Sequence, residues 1–287
     1  MRIVRCATDD GPVVGVADDG TSEVRPLGVR TLGELLGLPA AEIRERCAAA
    51  GAPVPAGPLL PPVDGRTEVW AAGVTYRRSR EARVEESEQS ADVYERVYDA
   101  ERPELFFKSA SWRVTGHGGT VAIRADSELN VPEPELALVL NRDGEIVGYT
   151  VCDDMSSRSI EGENPLYLPQ AKIYLGACAV GPAIRPAWEI ADPYALDITL
   201  SIRRDGAEIW SGKASTSELH RRLDELAAYL FREDVFPDGA ILSTGTSLVP
   251  DMDFVLRPGD EIAITISEIG TLTSTVVRGK AAVELPD

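Results

Sequence analysis

Long apolar runs are missing from this chain. No stretch approaches the length needed to cross a bilayer, and the opening MRIVRCATDDGPVV carries acidic residues where a signal peptide needs an apolar segment. The cytoplasm is therefore the expected compartment. Positive charge is also scarce: 29 basic residues face 47 acidic ones, a formal net charge of -18, which sets the chain against a phosphate backbone or an anionic membrane as partner. Cys6, Cys47, Cys152 and Cys178 lack the close spacing of a zinc site and are too few for a disulfide framework, so they are expected to be ordinary thiols. Only 2 histidines occur, His117 in a glycine turn (TGHGG) and His220 beside Arg221 and Arg222. Neither is placed to act as a general base.

What is present is the composition of a globular protein, 44% hydrophobic and 26% charged, without internal repeats. The length of 287 residues allows one large domain with a smaller appendage. Short apolar runs open the chain, followed by a helical pattern from Thr31 to Ala50 that Pro39 interrupts, with Leu32, Leu35, Leu36 and Ile43 on its apolar stripe. The segment from Ala52 to Gly65, APVPAGPLLPPVDG, is too rich in proline for a helix or a central strand. It marks the boundary between a small N-terminal domain (1–62) and a main domain (63–287).

Beyond that boundary TEVWAAGVTY predicts a buried strand, and Ser79 to Ala100 predicts a highly charged helix with a poor core face, suited to a lid. From Glu104 onward the pattern is strand-rich, with a hairpin turn at Asp205-Gly206. One amphipathic helix is expected from Ser217 to Arg232, with Leu219, Leu223, Leu226 and Leu230 on one stripe and Ser215-x-x-Glu218 as a capping box. The fold class is a mixed, β-rich α+β structure with few helices, closed or nearly so.

Chemistry concentrates in VPEPELALVL, where Glu133 and Glu135 lie two apart and point to one face of an extended strand. Two carboxylates forced together repel unless a cation sits between them. Asp154, at the end of the apolar run EIVGYTV, adds the third oxygen ligand that a hard divalent ion needs. A bare Glu-x-Glu is also common on exposed strands, so this trio alone is a moderate signal. An anionic substrate would meet a repulsive overall field, which favours a bound metal and buried lysines at the site.

The segments VPEPELALVL, GYTVCDDMSSRSIEGENPLYLPQAKIYLGACAVGPAI and STGTSLVP…LRPGDEIAITISEIGTLTSTV resemble, in order and spacing, the signatures of the fumarylacetoacetate hydrolase superfamily from about Trp70 to Val277. The resemblance implies that family's fold, with a large β-roll, barrel-like C-terminal domain and a small N-terminal α+β domain, and usually a homodimer. It implies magnesium, with manganese or calcium as substitutes, held by Glu133, Glu135 and Asp154. A small anionic 2-oxo acid is the implied substrate, its charge countered by Lys108 and Lys172. Gly245 and Thr246 match the family's substrate-contacting segment, with Ser247 where proline is usual. Ser156 and Arg158 are candidates to orient Asp154, although each also reads as structural.

Many carbon-carbon hydrolases of the superfamily carry a histidine where this chain has Ser79, and serine is a poor base near neutral pH. The run SSRSIEGENPLYLPQAK together with GVTYRRSREARVEES resembles instead the branch that dehydrates 2-keto-3-deoxy sugar acids, such as 2-keto-3-deoxy-D-arabinonate, to 2-oxoglutarate semialdehyde. On this reading Lys172, with a lid carboxylate such as Glu81 or Glu85, carries protons, and Glu163, Asn164 and Gln170 are candidates to read the sugar hydroxyls. A metal-dependent hydrolase of 2,4-dioxo acids is the alternative.

Overall fold

A computed structural model describes residues 1–79, 91–250 and 254–283. Its frame is a ten-stranded sheet whose strands lie in the order Val54–Pro55, Glu23–Pro26, Val13–Ala17, Arg2–Cys6, Cys178–Pro186, Ile146–Asp154, Pro134–Leu140, Ala240–Ser243, Glu68–Gly73 and Glu104–Ala110. A five-stranded sheet runs from Ala207–Ser215 through Asp197–Arg204, Glu261–Ile266 and Gly270–Arg278 to Gly119–Ile123. The strand-rich α+β architecture matches the expectation. Closure does not: among the described residues both sheets end in edge strands.

The run PELALVL is apolar throughout because its strand is covered on both faces, and all of its residues are buried. On one face Leu136, Leu138 and Leu140 join Leu200, Ile202, Ile262 and Ile264 of the smaller sheet in the main core. On the other, Ala137 and Val139 pack with Cys152, Val180 and Ile241 against Leu32, Leu35, Leu36 and Ile43. The N-terminal segment is thus stitched to the main sheet, with Ile3 paired to Ile184.

Local chemistry explains the helix boundaries. Pro39 splits the first helical pattern into Leu32–Leu36 and Ala40–Ala48. The start of the first piece is capped by the Thr31 hydroxyl, which accepts from Glu34 N at 3.0 Å, and by the Asp64 carboxylate, which accepts from the Leu32 and Gly33 amides at 2.8 and 3.0 Å. The second predicted helix is shorter than its apolar stripe suggests, Leu223–Leu230 rather than Ser217 to Arg232. Leu219 bridges Tyr76 in extended conformation and the His220 amide donates to the Thr75 carbonyl at 2.9 Å, so tertiary pairing overrides helical propensity there. Ser215 does cap, but a 3-10 turn over Thr216–Glu218. The hairpin at Asp205 and Gly206 forms as expected, both residues having positive φ. Of the charged segment, the helix Ala91–Tyr98 is described, whereas Glu81 and Glu85 lie outside the described residues. All four cysteines are free and buried, and no helix among the described residues is long and apolar enough to span a membrane.

Candidate metal centre and active site

Strand register assembles the acidic trio. Cys152 stands opposite Glu135 across two antiparallel strands, and the Asp154 amide donates to the Glu133 carbonyl at 3.0 Å. Residues 133, 135, 152 and 154 therefore share a face, and one oxygen from each of Glu133, Glu135 and Asp154 lies within 4.8 Å of the others. Glu135 is 1% exposed and Asp154 2%.

Two buried lysines close the ring. Lys172, on the short helix Leu168–Lys172, donates to Glu133 Oε2 at 2.7 Å and to Asp154 Oδ2 at 3.3 Å. Lys108 pairs with Asp154 Oδ1 and donates to the carbonyls of Met155 at 3.0 Å and Lys172 at 2.6 Å. Its strand bulges between the partners of Val69 and Trp70, and that extra residue re-aims the lysine. Both ammonium groups are satisfied within the protein, so neither is an ordinary surface lysine.

The electrostatics favour a further cation. Three carboxylates against two ammonium groups leave one formal negative charge in a largely buried site. Burial and the neighbouring Asp154 and Glu133 push Glu135 up to about 8. Burial also opposes ionisation of Asp154, but Lys108 and Lys172 outweigh it and hold that carboxyl below its usual range. A hard divalent ion would relieve the crowding at Glu135, and an all-oxygen donor set suits magnesium. The residues present fit such an ion.

A recess of about 20 Å³ opens at the trio, room for one water-sized occupant, lined also by Gly73, Val74, Ser79, Phe106 and Thr246. Gly245 contributes as well, its amide donating to Glu135 Oε2 at 2.8 Å. Val74 adopts φ of 52°, a strained conformation for a β-branched residue, in the wall of the recess. Ser79 lines it too, but its hydroxyl donates to the Tyr76 carbonyl at 2.8 Å and accepts from the Tyr76 amide at 3.1 Å, which is a turn-capping role.

The remaining candidates lie elsewhere. Glu163 and Gln170 are exposed and do not line the recess. Asn164 caps a turn by accepting from the Leu166 amide at 2.9 Å. Ser156 donates to Glu161 at 2.7 Å and Arg158 to the Pro250 carbonyl at 2.9 Å. His117 accepts from the Thr273 amide at 3.3 Å, and His220 stacks on Tyr98 with centroids 4.1 Å apart.

Two further carboxylates have buried oxygens, and of these Glu104 was missed in the sequence. Asp153 points away from the trio, fully buried, with neither oxygen hydrogen-bonded, and burial pushes it up to about 8. Glu104 is the cross-strand partner of Gly73, on the same face as Phe106, and its Oε2 is buried without a hydrogen-bond partner. That oxygen lies where a Cβ on Gly73 would collide with it, so the glycine, which lines the recess, leaves room for the carboxylate beside it. The available signal was alternation: Glu104 and Phe106 are two apart in one strand, ahead of Lys108.

Residues 68–277 match the family model of the fumarylacetoacetate (FAA) hydrolase C-terminal domain. The chain is 49% identical over 224 residues to a 2-dehydro-3-deoxy-D-arabinonate dehydratase of Saccharolobus solfataricus, covering 77% of this chain and 74% of that protein. A probable 2-keto-3-deoxyxylonate dehydratase of Haloferax volcanii is 52% identical over 215 residues, 75% of this chain and 73% of its own. A solved 2-keto-3-deoxy-D-arabinonate dehydratase, in complex with magnesium and 2,5-dioxopentanoate, superposes with a TM-score of 0.84 at 39% identity, covering 97% of this chain and 99% of the other.

Proposed function

Because the chain belongs to the fumarylacetoacetate hydrolase family, we propose that it is a magnesium-dependent dehydratase converting a 2-keto-3-deoxypentonate, such as 2-keto-3-deoxy-D-arabinonate, to water and 2,5-dioxopentanoate, the semialdehyde of 2-oxoglutarate. The observation that carries this reading is the buried trio Glu133, Glu135 and Asp154, closed by Lys108 and Lys172. Glu133, Glu135 and Asp154 hold the ion, which when bound polarises the substrate's 2-oxo group as a Lewis acid. Lys108 and Lys172 balance the charge of the carboxylates and of the incoming acid, and Gly245 and Thr246 face the substrate from the recess wall.

Glu104 removes a proton from carbon 3 and returns it to the carbon 4 hydroxyl, which leaves as water. In the second transfer Glu104, a carboxylate again once water has left, takes a proton from carbon 5 while the Lys172 ammonium gives one to carbon 3; the Glu104 proton then returns to the lysine, and the enol at carbon 5 becomes the aldehyde. Substrate then equals product plus water, and no redox partner is needed. Ser79, tied to the Tyr76 backbone, is not placed to serve as the base for the water attack of a hydrolase. All of these residues lie in the catalytic part, 63–287, which the segment 1–62 braces from the sheet edge. The reading includes a homodimer, testable by sedimentation, and a cytoplasmic location in keeping with free thiols.

The test is incubation with 2-keto-3-deoxypentonates and magnesium, with a semialdehyde dehydrogenase reporting product through NADH. Product that depends on the divalent ion is the expected result. Cleavage of an acylpyruvate without semialdehyde from the sugar acids would instead assign a hydrolase.

A further inference from the structure

We infer that Ser243 and the Gly245 amide set the centre's preference among divalent cations by restricting Glu135 to a single ligating oxygen. The inference rests on the metal reading above and concerns residues that the acidic trio does not include. Ser243 ends the strand Ala240–Ser243 and stands opposite Ala137 in the neighbouring strand. The next residue fastens the chain there: the Thr244 amide and hydroxyl both donate to the Leu136 carbonyl, at 3.0 and 2.7 Å. The backbone then turns at Gly245, whose φ of 91° aims its amide back at Glu135.

Two donors consequently converge on one atom. The Ser243 hydroxyl lies 2.5 Å and the Gly245 amide 2.8 Å from Glu135 Oε2. Each carboxylate oxygen has two lone-pair directions, so Oε2 is filled and Oε1 is the atom left for a cation. Presenting both oxygens would require the carboxylate to rotate and break both bonds.

Magnesium takes one oxygen from each carboxylate in a compact octahedron, whereas calcium takes 6–8 oxygens and accepts bidentate carboxylates readily. A glutamate held to one oxygen therefore disfavours calcium relative to magnesium. The lysines restrain Glu133 and Asp154 in a comparable way, but they also carry the charge balance. Ser243 is neutral, buried and absent from the recess lining, which makes it a positioning residue that can be altered without changing charge.

The experiment is calorimetric titration of the full-length metal-free protein with magnesium and with calcium, for wild type, Ser243→Ala and Ser243→Thr. Ser243→Ala is expected to weaken magnesium binding about 10-fold, the lower end for loss of a group that orients a ligand, while calcium changes by about twofold or less. The selectivity ratio then moves towards calcium by about 5-fold or more, and Ser243→Thr, which keeps the hydroxyl, restores it. Equal weakening of both ions, or no change in either, overturns the inference. Ser243→Cys, a weaker donor, is to shift the ratio part of the way, and an unshifted ratio there overturns it even where the alanine variant does not fold. Wild-type protein that binds neither ion would sink the metal reading itself, a result separate from an unchanged ratio with binding intact.

Discussion

Lys172 Nζ lies 2.7 Å from Glu133 Oε2, in a pair from which solvent is almost wholly excluded. Removing one member of a buried pair strands the other charge. Lys172→Met is expected to cost the metal-free protein about 3–5 kcal/mol in denaturant melts. Divalent ions have one competing cation fewer, so manganese should bind more tightly while turnover falls by about 10² or more. Weaker manganese binding in this variant would contradict the placement of the lysine.

Glu135 and Asp153 give metal-free stability a defined pH dependence. Burial raises both to about 8 in the folded state, from ordinary values of 4.5 and 3.8. The folded chain therefore keeps protons that the unfolded chain has released, and the contribution of these two groups to stability is fully present below about pH 4 and is lost as pH rises through about 8. Denaturant melts of metal-free protein should show lower stability at pH 8.5 than at pH 6, with magnesium stabilising more at the higher pH because it replaces the proton on Glu135. Glu135→Gln should remove part of the slope and all metal-dependent turnover. A metal-free protein that gains stability between pH 6 and 8.5 would refute the assignment.

Glu104→Gln keeps the shape of the side chain over Gly73 and removes its ability to take a proton. Turnover should drop about 10²- to 10⁴-fold, with manganese affinity held within about twofold. Steady-state kinetics beside a manganese titration checks both, and unchanged turnover would exclude Glu104 as the proton carrier.

Gly245→Ala meets two obstacles. The φ of 91° disfavours any side chain, and a Cβ there would collide with Thr75 Oγ1. A loss of about 1–3 kcal/mol is expected from the backbone conformation alone. Adding Thr75→Ala should recover the part due to the collision and leave the backbone part, which thermal melts of the single and double variants separate.

Legibility from the sequence followed the range over which each feature is encoded. Glu133 and Glu135 were visible because strand alternation is local, and Asp154 because it ends an apolar run. Ile43 and the three leucines of the first helical pattern were legible for the same reason, as was the break at Pro39. Glu104 was not, because its place depends on pairing with Gly73 across 31 positions of chain and on a bulge that no local pattern announces. The helix Leu223–Leu230 came out short since Leu219 is claimed by Tyr76, a partner remote in sequence. Closure of the sheet depends likewise on how distant edges meet.

The strand Pro134–Leu140 has hydrogen-bonded neighbours along both edges and packed layers above and below. Its amides can exchange with solvent only when the whole fold opens, so hydrogen exchange at Leu136 and Leu138 should be among the slowest in the chain. Glu135, near the start of this strand, inherits that rigidity. Heating should then abolish ion capture and tertiary structure in a single step, with no warm intermediate that is folded yet blind to magnesium.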